Sequence, residues 1–269
     1  MTDHVTTSGS QALSRVTLRF YEELNDLLRQ DQRKKDIVCE FPGKRSVKDA
    51  IESFGVPHTE VDLILVNGVS ESFGYLLKDG DRVSVYPVFE SLCLDGITKV
   101  RPKPLRTPSF VADVHLGKLA RNLRLLGFDT DYRNSRDDAE LAAIASAEKR
   151  ILLTRDRRLL MRKMVDRGIL LHDEDPFKQT LEVLDRLDLW DALAPFSRCL
   201  ACSGPMSGAP PGSAAFARAE PSIPPLVRSW CKEYYLCSQC GNVYWKGSHY
   251  DRLEALVQKF LAARSGRQD

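Results

Sequence analysis

The chain has 269 residues, 43% of them hydrophobic, and a formal net charge of +2. That length suits two or three domains with real cores, and no apolar run approaches the ~20 residues that a membrane-spanning helix needs. The near-neutral total hides an asymmetry, with −4 over residues 1–100, +7 over 101–170 and −1 over 171–269, so the middle third is either a solvated basic surface or the seat of a polyanionic partner.

Residues 1–13 are polar and lack the apolar core of a signal peptide, which reads as a disordered tail on a cytoplasmic protein. Residues 14–95 follow the order β-β-α-β-β. Val16, Leu18 and Phe20 alternate in the first strand, and "DIVCEFPGK" is a second strand entering a turn. Ser46 is placed to cap a helix with Val47, Ala50, Ile51 and Phe54 on its apolar side and Gly55 as its stop. "VDLILVNGVS" is a strand with an Asn-Gly turn, and "DGDRVSVYPVF" is a turn followed by an alternating strand. This is the order of a β-grasp, or ubiquitin-like, domain. The segment resembles the small sulfur-carrier proteins in its "VNG" turn and "DGDRVSVYP" strand. Those carriers act through a free C-terminal Gly-Gly. Here the chain runs on through "FESLCLDGITKVRP", so an adaptor or packing role is expected in place of sulfur transfer. Residues 96–108, rich in Pro and basic residues, read as an extended linker.

Residues 109–196 alternate strands and helices, the pattern of a parallel α/β sheet. "FVAD" is a strand ending in Asp113. A helix follows, carrying Leu116, Leu119, Leu123 and Leu126 and stopped by Gly127. Then come the strand "DTDYR", the helix "DDAELAAIASAEKR", the strand "ILLT", a helix over "RRLLMRKMVDRG" and the strand "ILLHD". Ligands of open parallel sheets bind beyond the carboxyl ends of the strands. That edge receives Asp113 and Asp156, with Asp138 opening a helix on it and Asp173 and Asp175 in reach. Converging carboxylates repel each other unless a cation lies between them. Mg²⁺ or Mn²⁺ suits oxygen donors and promotes in-line displacement at phosphorus. Arg121, Arg155, Arg157 and Arg158 are candidate phosphate contacts. Structural roles compete with these. Asp137 and Glu140 fit a D-x-x-E capping box worth ~1 kcal/mol, and Asp156 is suited to cap the next helix or to pair with Arg155 or Arg158, an exposed pair being worth only ~0–1 kcal/mol. His115 reads better as a partly buried polar residue near a strand end than as a substrate contact.

Residues 197–250 hold two C-x-x-C knuckles, Cys199/Cys202 and Cys237/Cys240, the arrangement for a closed, structural Zn²⁺ site of four thiolates. Cys231 and His249 are spare ligands that such a site does not need. The Gly/Pro/Ala/Ser-rich stretch within 203–229 reads as a flexible insertion with no fold of its own. Tyr234, Tyr235, Tyr244, Trp245 and Tyr250 are expected to pack the small ribbon core rather than to stack on bases, and Cys39 and Cys93 to be small buried residues. Residues 251–269 are expected to form a C-terminal helix and tail.

"DDAELAAIASAEKRILLTRDRRL" resembles the end of a PIN-domain nuclease, VapC-type toxins included, with an acid opening a helix and "T-x-D" after the next strand. Over about Ser109 to Leu253 the chain is more similar to the Mut-seven carboxy-terminal ribonuclease family, a PIN-like domain followed by a zinc ribbon. The motifs are "ADVHLGKLARNLRLLGFDT", "ILLTRDRRLL", "SRCLAC" and "CSQCGNVYWKGSHYDRL", and a ubiquitin-like segment is a companion of that family. The resemblance implies a Mg²⁺- or Mn²⁺-dependent endoribonuclease. Asp113, Asp138 and Asp156 would hold that ion, with a structural Zn²⁺ beside it and RNA, tRNA or ribosome-associated RNA included, as the partner. One departure stands out. PIN nucleases usually carry a Glu between the first two acids, and no Glu lies between Asp113 and Asp138, where the acids are Asp129, Asp131 and the capping Asp137. The site is then either thinner or completed by Glu140, Asp173 or Asp175. A non-catalytic RNA- or ribosome-binding adaptor on the same fold is the competing expectation.

Overall fold

The computed structural model describes residues 13–87, 98–100 and 107–265, which divide at residues 103/104 into two compact units. The expected N-terminal tail up to residue 12, most of the expected linker, Cys93 and the last four residues lie outside the described residues.

The first unit contains β1 (Leu13–Phe20), β2 (Ile37–Pro42), α1 (Val47–Ser53), β3 (Val61–Val66), β4 (Val69–Ser70) and β5 (Arg82–Pro87). Its sheet order is β2-β1-β5-β3-β4, with β1 and β5 parallel and the other pairs antiparallel. The period-two pattern of β1 buries Val16, Leu18 and Phe20, and α1 buries Val47, Ala50 and Ile51. Ser46 caps α1 by accepting from the Asp49 N–H. Asn67 and Gly68 take φ of 51° and 84°, the left-handed pair that a two-residue hairpin turn requires. Asn67 also donates to Asp81 Oδ1 and accepts from the Arg82 N–H, so its side chain ties the hairpin to the start of β5. This is the ubiquitin-like fold. Among the described residues no helix is long and apolar enough to cross a membrane.

The second unit begins with β6 (Ser109–Ala112), α2 (Gly117–Leu125), β7 (Asp129–Asp131), α3 (Asp138–Ala147), β8 (Ile151–Thr154), α4 (Arg157–Leu160), β9 (Gly168–Leu170) and α5 (Pro176–Arg186). The sheet order is β7-β6-β8-β9, parallel throughout. β6 and β8 are its central strands, which is why "FVA" and "ILLT" are continuous apolar runs rather than alternating ones. Gly127 stops α2 at φ 100°, and a Cβ there would collide with the Ala194 backbone, so only glycine lets the chain pass. The helix expected over "RRLLMRKMVDRG" is a single turn, Arg157–Leu160. The chain turns back at Arg162, whose N–H bonds to Leu159 O, and Val165 swings fully inside before β9.

The expected foldless insertion at 203–229 is corrected by the structure. It carries β10 (Met206–Gly208), α6 (Ala214–Ala219) and α7 (Pro225–Trp230), followed by β11 (Tyr234–Cys237) and β12 (Val243–Trp245). The three strands form an antiparallel sheet in the order β10-β11-β12. Composition misled because few apolar residues do the work. Ala209, Ala219 and Ile223 bury themselves with Cys231, Tyr234 and Leu236 in one small core, and Ser213 caps α6. The final helix, α8 (Ser248–Ser265), is more than a tail. Its Val257 and Phe260 complete the core of the parallel sheet, and Phe260 stacks on Phe177 of α5 at 4.6 Å. Sheet, ribbon and α8 are thus one body.

Candidate active site and metal centre

At the carboxyl edge of the parallel sheet, β6 and β8 end side by side, and the Asp113 N–H donates to Leu153 O at 3.0 Å. The Asp113 side chain is buried. Its Oδ2 accepts the Thr154 hydroxyl at 2.6 Å, and its Oδ1 receives only a long contact, 3.5 Å, from the His115 N–H. His115 is itself exposed. Thr154 is fully buried, and its Oγ1 accepts the Asp156 N–H at 3.0 Å. A backbone N–H can only donate, so the hydroxyl proton is committed to Asp113. The polarity of the chain Asp156 N–H, Thr154 hydroxyl, Asp113 carboxylate is therefore fixed. Asp156 caps α4 through Oδ1, which accepts the Arg158 N–H at 2.7 Å.

The other acids have local duties. Asp138 begins α3, half exposed, with Arg162 at 3.7 Å. Glu140 closes the capping box: it accepts the Asp137 N–H at 3.2 Å, while Asp137 accepts the Glu140 N–H at 2.9 Å. Asp173 accepts the Asp175 N–H at 2.8 Å and faces Lys178 at 3.2 Å. That backbone bond first, and the ammonium after it, hold the Asp173 carboxyl below its ordinary range. Asp175 caps α5 by accepting the Phe177 N–H. The six acids are not drawn into one tight cluster. Among the described residues, the one group of three or more ligand atoms lying within 4.8 Å of each other is made of cysteines. Of the arginines, Arg155 pairs with Glu174 at 2.9 Å, Arg121 and Arg158 are exposed, and Arg157 is half-buried.

These residues suit a Mg²⁺ or Mn²⁺ ion through their chemistry. Asp113 is a buried carboxylate with no cationic partner among the described residues, which is costly unless a cation compensates it. Mg²⁺ is commonly held by one or two carboxylates while keeping several waters, so a tight trio is not required. Asp113 and Asp156 are the pair the fold links.

The cysteines form the second centre. Cys199 and Cys240 Sγ lie 3.6 Å apart and Cys202 and Cys237 Sγ 3.5 Å apart. Tetrahedral zinc with Zn–S bonds of ~2.3 Å sets sulfurs about 3.8 Å apart, so the four are placed for it. Backbone N–H groups of Gly204, Gln239 and Cys240 point at the sulfurs of Cys202 and Cys237, and the Tyr244 hydroxyl lies 3.2 Å from Cys199 Sγ. Burial raises the Cys199 thiol, but the bonds from Tyr244 and from backbone N–H groups outweigh it and hold it at about 7. Burial and the neighbouring sulfurs push Cys202 up to about 12. Cys231 turns away into the ribbon core and donates to Glu233 O, and His249 is exposed outside the group.

One functional residue escaped the sequence reading. Arg124 lies 5% exposed inside α2. Its Nε donates to Thr130 O at 2.9 Å, and its Nη1 donates to Leu200 O at 3.0 Å and Ala201 O at 2.9 Å. The Thr130 N–H in turn donates to Ser203 Oγ at 2.8 Å. Arg124 thereby latches the first cysteine knuckle onto α2 and β7. Burial lowers its pKa, against the opposing pull of Asp131, Cys202 and Cys199. The only signal in the sequence is a charged residue on the apolar side of "LARNLRLLGF". Arg124→Met is expected to strand three carbonyls. At ~1–3 kcal/mol each the loss should reach several kcal/mol in urea unfolding, and a loss below ~1 kcal/mol would show that the latch holds nothing.

A family model described as the Mut7-C RNAse domain matches residues 108–257, and one described as Mut7-C ubiquitin matches residues 13–93. No curated protein and no solved structure matches the chain.

Proposed function

The chain belongs to the Mut7-C RNAse domain family, whose model covers more than half of it, and on that premise we propose that it is a Mg²⁺- or Mn²⁺-dependent endoribonuclease. The observation that carries this reading is the buried bridge from Asp113 through Thr154 to the Asp156 N–H. It ties together two acids at the carboxyl edge of a parallel sheet, where open sheets of this kind bind ligands, with one buried hydroxyl that orients the Asp113 carboxylate and anchors the Asp156 backbone. Asp113 and Asp156 would hold the ion, with Asp138 as the third ligand. The bound ion would polarise a phosphodiester and lower the pKa of a water. The chain's own part is positional. Thr154 keeps Asp113 aimed, the cap on α4 fixes Asp156, and Arg121, Arg155, Arg157 and Arg158 bind the phosphates that flank the cut. Glu140, Asp173 and Asp175 are bound up in helix caps and turns, and they serve as outer acids at most.

The test is cleavage of an end-labelled RNA by the purified protein, with and without added Mg²⁺ or Mn²⁺. Thr154→Val sharpens it. The valine has the same shape but strands the Asp156 N–H and frees Asp113, so cleavage should fall ~10–100-fold, as for other residues that orient ligands. Thr154→Ser should restore most of it. Equal activity in both variants would remove Thr154 from the machinery.

The separation of the acids favours one second reading, a non-catalytic RNA-binding adaptor. It predicts salt-sensitive RNA binding without turnover in any divalent metal.

A further inference from the structure

α2 is held firmly beside the edge that carries Asp113. The Tyr132 hydroxyl donates to Val114 O at 2.9 Å, and it lies so close to the helix that a Cβ on Gly117 would stand 2.7 Å from it. Asn122 fastens the helix to α5, donating to Thr180 Oγ1 at 3.0 Å and to Pro176 O at 3.3 Å. So fixed, α2 buries Leu119, Ala120 and Leu123 and leaves Lys118 and Arg121 exposed on its opposite side. The two are one turn apart, with Cβ atoms ~5–6 Å from each other. Arg133, exposed just after Tyr132, stands at the same edge. None of these three cations has an ion partner among the described residues. Residues 114–128 hold no acid, and the acids at the start of α5 are engaged, Asp173 with Lys178 and Asp175 as the helix cap. A second cationic group lies on the other face of the sheet. Leu119 and Leu123 share a core with Phe110, Ala112, Ile151 and Leu153, whereas Leu160 of α4 packs over Gly168 and Leu152 on the reverse side. That layer presents Arg158 and Lys163, both exposed and likewise without an ion partner among the described residues. The Asp113–Asp156 edge runs between the two groups.

We propose that Lys118, Arg121 and Arg133 form a phosphate track, and that one RNA strand passes from it over the sheet edge to Arg158 and Lys163, laying its backbone across Asp113 and Asp156. The inference rests on the ribonuclease reading for the identity of the anion, and adds to it the path of the strand and the residues Lys118, Arg133 and Lys163. Unmatched cations repel one another, and a chain of spaced anions relieves that repulsion on both faces at once. A single small anion reaches one group and leaves the other unmatched. An acidic protein face could meet both groups, but it would bring only further carboxylates to the acids between them. A phosphodiester suits those acids, because Mg²⁺ is ordinarily held by carboxylates together with substrate phosphates. Contacts to phosphate position a strand without reading its sequence. The track therefore accepts any sequence and fixes which stretch of backbone lies over the edge.

The experiment uses the full-length, zinc-loaded protein carrying Asp156→Asn, so that cleavage does not interfere. The probes are labelled oligo(A) and oligo(U), and the readout is fluorescence anisotropy over a salt titration. Adding Lys118→Gln and Arg121→Gln should flatten the slope of log affinity against log salt by about 1.4, two contacts at ~0.7 each for a single strand, and weaken binding about 25-fold near ~0.1 M salt. The loss should be the same for both sequences, as for any phosphate contact. Lys118→Arg should keep the slope. Arg158→Gln should remove a further ~0.7, and one strand should bind per chain at saturation. Zinc content and the unfolding midpoint report that each variant is intact. An unchanged slope in the Lys118→Gln/Arg121→Gln protein would overturn the proposal, as would a loss confined to one sequence or two strands bound per chain. A glutamate-rich peptide that loses its hold in that variant, while RNA affinity stays the same, would assign the track to an acidic protein and overturn it too. Failure of the nuclease reading shows separately, as absence of cleavage by the protein with Asp156 in place.

Discussion

Asp113→Asn is expected to slow RNA cleavage by at least about 100-fold, a rise of ~2.7 kcal/mol in the barrier, while the protein stays folded. Asn keeps the shape of Asp and an oxygen that accepts the Thr154 hydroxyl, so the bond at 2.6 Å survives. What disappears is the charge. A neutral amide in this buried position needs no compensating cation, so the drive to hold a hard divalent ion at this edge goes with it. Single-turnover cleavage at saturating Mn²⁺, together with the thermal midpoint, reads both halves. A wild-type rate in a folded variant would take Asp113 out of the chemistry. A collapsed midpoint would show that its role is structural.

Removing zinc should produce the largest effect on stability. The ribbon's buried core consists of Ala209, Ala219, Ile223, Cys231, Tyr234 and Leu236, far too little apolar surface to order 50 residues unaided. Structural zinc sites contribute ~10–16 kcal/mol in small peptides, so folding of the ribbon and metal binding are expected to be one event. Chelation, or Cys237→Ser at the end of β11, is expected to abolish hydrogen-exchange protection across β10, β11 and β12. The damage should reach α2 and β7, because Arg124 and Thr130 lose Leu200 O, Ala201 O and Ser203 Oγ as partners. The thiols titrate near and above neutrality, Cys199 at about 7 and Cys202 at about 12. Metal must therefore displace protons, and zinc affinity should weaken as pH falls below 7. Retained protection in metal-free protein would contradict this account of the ribbon.

Local signals carried far in the first unit. The strand alternation, the Ser46 cap and the Asn67–Gly68 turn are each decided by residues within a few positions, and the structure follows them. The same holds for the Asp137/Glu140 box and for the two cysteine knuckles, whose chemistry is written in their spacing. What stayed hidden depends on distant partners. Arg124 is legible only once Leu200 and Ala201 are known to lie against α2. Thr154 read as the end of a strand because its two hydrogen bonds involve a neighbouring strand and a turn. α8 shows its apolar face only against Phe177 of α5. The helix after Asp156 looked long because its charged residues favour helix, yet burial of Val165 ends it early. In the "RDRR" stretch, geometry separates roles that the sequence leaves superimposed: Asp156 caps α4 and is bridged to Asp113, while Arg155 turns out to Glu174.

Cleavage of RNA at the Asp113–Thr154–Asp156 edge, with the help of a divalent ion, is the activity proposed for this chain. Its most direct test is the cleavage time course of an end-labelled single-stranded RNA by zinc-loaded protein, run beside an Asp113→Asn/Asp156→Asn double variant prepared identically, across a Mn²⁺ titration. Cleavage is expected to appear only with added Mg²⁺ or Mn²⁺ and to be absent from the double variant, which still binds the RNA. Equal cleavage by both preparations, or RNA binding by the wild-type protein with no product at any Mn²⁺ concentration, would contradict it.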